Sequence, residues 1–152
     1  FKPELDKWQP GEHNGTFRGF VPAMVAGQAG LEFMLEHHVE AETRRKGMLV
    51  SDYLDEHLPK ISAKLTHRGR GLINGIDFSP FAPGSAKAAS AECFKRGLVI
   101  YPGTGQIDGC AGDQFLLAPP LVATAEQIDE IVRRLGEGLA AAAEILLAKA
   151  RG

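Results

Sequence analysis

Between Pro22 and Leu35 the chain is apolar on nearly every side of a helix. Ala23, Met24, Val25, Ala26, Ala29, Leu31, Phe33, Met34 and Leu35 leave almost no polar face. A helix of that kind is expected to be covered on most sides. Its small residues, Ala23, Ala26, Gly27, Ala29 and Gly30, suit close approach by another element. A partner surface is therefore required, which is a strong demand on a chain of 152 residues. That length fits a single domain with a real core.

The remaining elements follow from punctuation and period. Residues 1 to 20 read as loop, broken by Pro3, Pro10, Gly11, Asn14-Gly15 and Gly19. Residues 39 to 58 read as an amphipathic helix with Leu49, Val50, Tyr53, Leu54 and Leu58 inward, ended by Pro59. Leu72 to Phe78 partly alternates and reads as a strand, with Gly75 as a bulge or close backbone contact. Ser85 is expected to N-cap a helix through Arg96, with Gly97 at its C′ position. Leu98–Tyr101 and Phe115–Ala118 read as two short strands. Thr124 followed by Gln127 is a capping-box pattern, and Ile128, Ile131, Val132, Leu135, Leu139, Ala142, Leu146 and Leu147 make one stripe behind it. The order predicts an α+β fold, a small sheet covered by helices mostly on one face.

Charge narrows the partners. Lysine plus arginine number 17 against 19 acids, a net charge of -2, so no basic field argues for nucleic acid or an anionic membrane. No apolar run reaches the roughly 20 residues that span a bilayer. Cys93 and Cys110 lack a CxxC spacing, which suits a reduced, cytoplasmic setting, with Cys93 packed inward from a helix. The start at Phe1, without an initiator Met or a leader pattern, reads as a piece of something longer.

Glu12-His13-Asn14-Gly15-Thr16-Phe17-Arg18-Gly19 is the densest polar cluster. A hydroxyl beside a flexible glycine and peptide N–H groups is suited to a phosphate; the plain alternative is a polar turn. Gly103-Thr104-Gly105-Gln106-Ile107-Asp108 falls short of GxGxxG, because Asp108 replaces the third glycine and no helix opens after it, so a surface loop is expected. His37, His38, Glu40 and Glu42 place one His–Glu pair on a helix face without a visible third ligand, so a charged helix end is expected and no metal site.

Four ordered segments resemble the class III aminotransferases, pyridoxal-phosphate enzymes of fold type I. Gly11–Gly19 resembles the family's His-Gly-x-Thr segment, most closely in its diaminobutyrate–oxoglutarate subgroup. Arg70-Gly71-Leu72-Ile73-Asn74-Gly75-Ile76 resembles the R-G-x-G-L strand, and Gly97–Tyr101 the strand after the small-domain helix. Gly112-Asp113-Gln114-Phe115-Leu116-Leu117-Ala118-Pro119-Pro120-Leu121, running into Thr124–Glu130, resembles the G-D-x-x-L-L-A-P-P-L stretch.

The resemblance implies a function and a set of roles. The parent would move an amino group from an amine or amino acid to a 2-oxo acid, using pyridoxal 5'-phosphate. Gly15 and Thr16 match the cofactor-binding segment, and Thr16 would reach the cofactor phosphate of the neighbouring subunit in a homodimer. Residues 1–40 would be a remnant of the large cofactor-binding domain, and 41–152 the small C-terminal domain with its short antiparallel sheet. The family's cofactor-binding lysine would lie upstream of Phe1, since neither Lys2 nor Lys7 matches it, so no catalytic residue is assigned and the chain alone is expected to be inactive. No substrate-binding arginine is carried over either: Asp108, Gly109 and Cys110 stand in its neighbourhood. The donor and acceptor stay open. The reading from another class is a non-catalytic module that binds a partner, or itself, through the Pro22–Leu35 helix.

Overall fold

The computed structural model describes residues 3–12 and 14–149. Phe1, Lys2 and His13 therefore lie outside the described residues, as does the side chain of Leu147. The chain divides into two units, Phe1–His38 and Val39–Gly152. The first holds a 3-10 turn at Pro3–Leu5 and helix α1, Val21–Glu36. The second holds α2 (Val39–Ile61), β1 (Thr66–Arg70), β2 (Ile73–Asp77), α3 (Ser85–Lys95), β3 (Tyr101–Gly103), β4 (Gln114–Leu117) and α4 (Ala125–Lys149).

Helix α1 forms where its composition predicts it, with Pro22 in the first turn, where a missing N–H costs no bond. None of its residues is buried. Leu31 and Leu35 are exposed, as are Met24, Val25, Phe33 and Met34. The described residues of its own unit thus leave the demand for cover unmet.

Helix α2 turns Val50, Leu54 and Leu58 inward at four-residue spacing. Glu40–Arg44, Glu42–Arg45 and Glu56–Lys60 pair along its wet side. Leu49, expected inside, is 38% exposed. Pro59 does not end the helix, which runs on to Ile61. Proline deletes only its own bond, and each later N–H still reaches a carbonyl four residues back, as Ser62 does to Leu58 at 3.0 Å.

The four strands form one antiparallel sheet in the order β1-β2-β4-β3. Three strands were expected; β1 is the additional one. Its sequence, THRGR, has no apolar alternation because it is an edge strand with four of its five residues exposed. Gly75 sits in regular register between Arg68 and Leu116, with no bulge. The strand expected at Leu98–Tyr101 begins only at Tyr101, as Pro102 and Gly103 pair with β4. Ser85 is the first helical residue of α3 rather than its cap: left-handed Gly84 occupies that place, and the Ser85 hydroxyl donates back to the Ala82 carbonyl at 2.5 Å. Gly97, at φ +76, closes the helix as expected.

Asn74, Ile76, Phe115 and Leu117 point into the core from β2 and β4. Phe78 and Phe115 meet there with ring centroids 4.7 Å apart. Helix α4 supplies Ile128, Val132, Leu135, Leu139, Ala142 and Leu146, the stripe legible in the sequence. Its capping box is present in both directions: the Thr124 amide donates to Gln127 Oε1 at 2.9 Å, and the Gln127 amide to Thr124 Oγ1 at 3.3 Å. Two glycines let α4 approach its neighbours. A Cβ at Gly136 would stand 2.3 Å from the Tyr53 hydroxyl of α2, and one at Gly138 would stand 2.5 Å from Cys93 Sγ of α3.

Candidate functional site

The polar segment of the first unit is a run of turns leading into α1. The Glu12 amide donates to the Gln9 carbonyl at 3.0 Å, while Gln9's amide is taken by Glu12 Oε2 at 2.6 Å. The Gly15 amide donates to Asn14 Oδ1 at 2.8 Å. A turn closes from Arg18 N–H to the Gly15 carbonyl at 3.0 Å, followed by one from Phe20 to Phe17 at 3.1 Å. Thr16 lies inside the first of these turns and is exposed. A Cβ at Gly15 would meet nothing within 4 Å, so the surface beside Thr16 is open. The exposed Thr16 hydroxyl is a donor of the kind a phosphate dianion accepts, whereas the Gly15 N–H is already committed to Asn14 Oδ1.

The family that the segments resemble also uses a lysine. Lys46 is 5% exposed, and its ammonium donates to the Leu121 carbonyl at 2.6 Å and the Ala123 carbonyl at 2.7 Å. It ties α2 to the segment that leads into α4. Lys60 and Lys95 pair with Glu56 and Glu92 on exposed helix faces. Lys7 is exposed in the turn-rich segment.

The sequence reading missed a second polar cluster, at the end of the sheet. Gln106 Nε2 donates to Asp77 Oδ1, to Ser79 Oγ at 3.0 Å and to the Asp113 carbonyl at 3.0 Å. The Ser79 amide donates to Asp77 Oδ1 at 2.7 Å, and its hydroxyl donates to the same oxygen. Arg68 Nη2 donates to Gln106 Oε1 at 2.9 Å. Partial burial pushes the Asp77 carboxyl up, but Ser79, Gln106 and the Arg68 charge together hold it below the usual aspartate value. Gln106 thereby pins the glycine-rich loop after β3, which an Ile107–Ala111 bridge folds back on itself. A glutamine inside a glycine-rich stretch carries no local signal of such a role.

Asp113, of the Gly-Asp pair before β4, is 6% exposed and accepts the Ala86 amide at 3.2 Å. It caps α3 from outside, where Gly84 has no side chain to do so. Burial pushes the Cys93 thiol up to about 11, and Cys110 is exposed in the loop. His38, at φ 49, sits just beyond the end of α1. Among the described residues no group of three His, Cys, Asp or Glu side chains stands close enough to hold a metal ion. Nor is any helix there long and apolar enough to cross a membrane.

Residues 4–139 match a family model described as aminotransferase class-III. A diaminobutyrate–2-oxoglutarate transaminase of Nocardia farcinica is 41% identical over 134 residues, 86% of this chain and 28% of the relative. One from Streptomyces anulatus is 39% identical over 139 residues, 89% of this chain and 30% of the relative. The chain thus spans under a third of the curated relatives it matches. Among solved structures, the acetylornithine aminotransferase of Elizabethkingia anophelis superposes with a TM-score of 0.67 at 23% identity, over 87% of this chain and 31% of that one. At that identity the likeness speaks for the fold.

Proposed function

This chain belongs to the class III aminotransferases, and on that premise we propose that it is the C-terminal portion of a pyridoxal-phosphate transaminase. The observation that carries the reading is the match over residues 4–139, which takes in the Thr16 segment, the sheet and most of α4 in one order. The names of the Nocardia and Streptomyces relatives point to a diamino acid as donor and 2-oxoglutarate as acceptor. The cofactor, when bound, supplies an electron sink for the bonds at the substrate Cα. Gly15 and Thr16 are assigned to its phosphate, with the Thr16 hydroxyl donating to the cofactor of the neighbouring subunit in a homodimer. The first unit then belongs with a large domain and supplies α1 to it, and the second is the small domain. We place the enzyme in the cytoplasm, a setting that suits the free thiols of Cys93 and Cys110.

The covalently binding lysine is assigned outside this chain. Lys46, whose ammonium is bonded to the Leu121 and Ala123 carbonyls, is not put forward for that role. The chain alone is therefore inactive in this reading. Borohydride treatment of the chain with cofactor should leave no adduct on any one lysine; a stoichiometric adduct at a single site would overturn the assignment. The family activity is tested by exchange: this chain replaces the matching segment of the Nocardia farcinica enzyme. Glutamate production from a diamino acid and 2-oxoglutarate should survive, and Thr16→Val should weaken cofactor retention by about tenfold, the worth of one charge-assisted hydrogen bond. A folded chimera without activity would sink the proposal.

One observation favours a non-catalytic reading as well. Helix α1 leaves Val25, Leu31 and Leu35 each more than 60% exposed, which suits a surface for a partner or a second copy. Sedimentation tests the self-assembly this second reading invokes: association through α1, abolished by polar substitutions there, supports it, and a monomer at all concentrations counts against it.

A further inference from the structure

The chain has two asparagines, Asn14 and Asn74, and a glycine follows each. One dipeptide therefore stands in two settings. Asparagine is a chemically labile residue, and a following glycine, with no Cβ, lets the next peptide nitrogen come close to the side chain. The reaction needs that nitrogen to reach the side-chain carbonyl carbon, which a pinned backbone forbids.

At Asn14 the backbone is not pinned. Asn14 and Gly15 are both exposed, outside any helix or strand, in the run of turns before α1. A Cβ at Gly15 would meet nothing within 4 Å. The Gly15 amide already lies against the Asn14 side chain, its nitrogen 2.8 Å from Oδ1. Oδ1 is bonded to Cγ, so rotation of the exposed side-chain amide turns the carbonyl carbon toward the nitrogen.

Asn74 is the reverse case. It is 3% exposed, and β2 lies between β1 and β4, with Asn74 opposite Gly69 and Leu117 and Gly75 opposite Arg68 and Leu116. Its Nδ2 donates to the Gly71 carbonyl at 3.2 Å. Its Oδ1 would stand 2.3 Å from a Cβ at Gly69. Side chain and backbone are both held, and solvent is kept away.

We propose that Asn14–Gly15 is a site of spontaneous deamidation and that the sheet protects the same dipeptide at Asn74–Gly75. The Gly15 nitrogen gives up its proton to hydroxide and bonds to Asn14 Cγ. The Cγ–Nδ2 bond breaks, and Nδ2 leaves as ammonia with a proton from water. Water then opens the cyclic imide at either carbonyl. One opening gives aspartate at position 14; the other gives isoaspartate, with the main chain running through Cγ. Nothing is oxidised or reduced. Either product places a carboxylate two residues before Thr16. On the amino-transfer reading, from which this consequence follows, that charge repels the cofactor phosphate.

The test is incubation of this chain at mildly alkaline pH, followed by peptide mapping with mass spectrometry and isoaspartyl methyltransferase labelling. Asn14 should convert while Asn74 stays intact, and faster as pH rises, because the attacking nitrogen must lose its proton. Gly15→Ala should slow the conversion by at least about tenfold, and the open space there admits the methyl without a change of fold. In urea Asn74 should convert as Asn14 does, which assigns its protection to the sheet. Mapping by fragment keeps Asp108–Gly109, which isomerises by the same chemistry, apart from Asn14. An inert Asn14, equal conversion of both asparagines in the folded chain, or an Asn74 that stays intact in urea would each overturn the proposal. Asn14→Asp in the segment exchange should weaken cofactor retention about threefold to tenfold; unchanged retention would overturn the consequence drawn for the cofactor. Since conversion is read without cofactor, its failure leaves the amino-transfer reading to the segment exchange.

Discussion

The buried ammonium of Lys46 donates to the carbonyl of Ala123 at 2.7 Å, joining residues 77 positions apart. With the Leu121 carbonyl as second acceptor, it secures the chain that follows Pro119-Pro120 to the N-terminal half of α2. Replacing Lys46 with methionine keeps the stem and leaves two carbonyls without their donor. An unsatisfied buried acceptor costs about 1–3 kcal/mol. Urea unfolding of Lys46→Met should show a loss in that range with an unchanged slope; a neutral result would mean that water replaces the ammonium.

Glycines in α4 and α1 should respond oppositely to the same change. At Gly138 a methyl would stand 2.5 Å from Cys93 Sγ and 2.9 Å and 3.0 Å from its Cα and N. Gly138→Ala should cost about 1–3 kcal/mol as an overpacked contact. Cys93→Ala in the same background should restore only part of it, since the backbone atoms remain. At Gly27 a methyl would meet nothing within 4 Å. There Gly27→Ala should raise helicity, by about 0.5–1 kcal/mol of helix propensity. Circular dichroism through an unfolding series reads both.

The low-lying Asp77 carboxyl gives a signed pH dependence. Its folded-state pKa is depressed below the unfolded aspartate value of about 3.9. Its contribution is therefore present above that value and lost as pH falls through the lower folded one. Wild type should lose more stability than Asp77→Asn on acidification through that window, and the two should run parallel above about pH 6. Parallel curves throughout would show that the Ser79 and Gln106 bonds do not favour the ionised form.

The two thiols should differ in reactivity. Cys110 is exposed, whereas Cys93 is buried with its thiol pushed up to about 11. A thiol reagent at neutral pH should label one cysteine quickly, and the second only on unfolding. A raised thiol pKa stabilises the fold below the unfolded value of about 8.5, and that contribution is lost as pH climbs toward the folded one. Cys93→Ala should accordingly flatten the alkaline limb of the stability profile.

Local patterns account for what could be read without coordinates. The α4 stripe, its capping box and the Gly97 stop are periodic or capping signals, complete within a few residues of each other. The all-round apolar character of α1 was legible for the same reason, as was the four-segment likeness that led to the family. β1 escaped because an edge strand has no second buried side to impose alternation. Ser85 was misplaced because the capping residue of α3 is a glycine, and the amide of Ala86 is satisfied by Asp113, just before β4.

Sequence alone thus determined which stretches are helical, which stripe α4 buries, and the family to which the order of motifs belongs. Only the tertiary structure decided that Lys46 is committed to carbonyls, that Asp113 caps α3, and that Gln106 and Arg68, 38 residues apart, meet across the sheet. The reason is physical. Periodicity and capping depend on bonds between near neighbours, whereas these pairings depend on strand order and register, which no short window of residues contains.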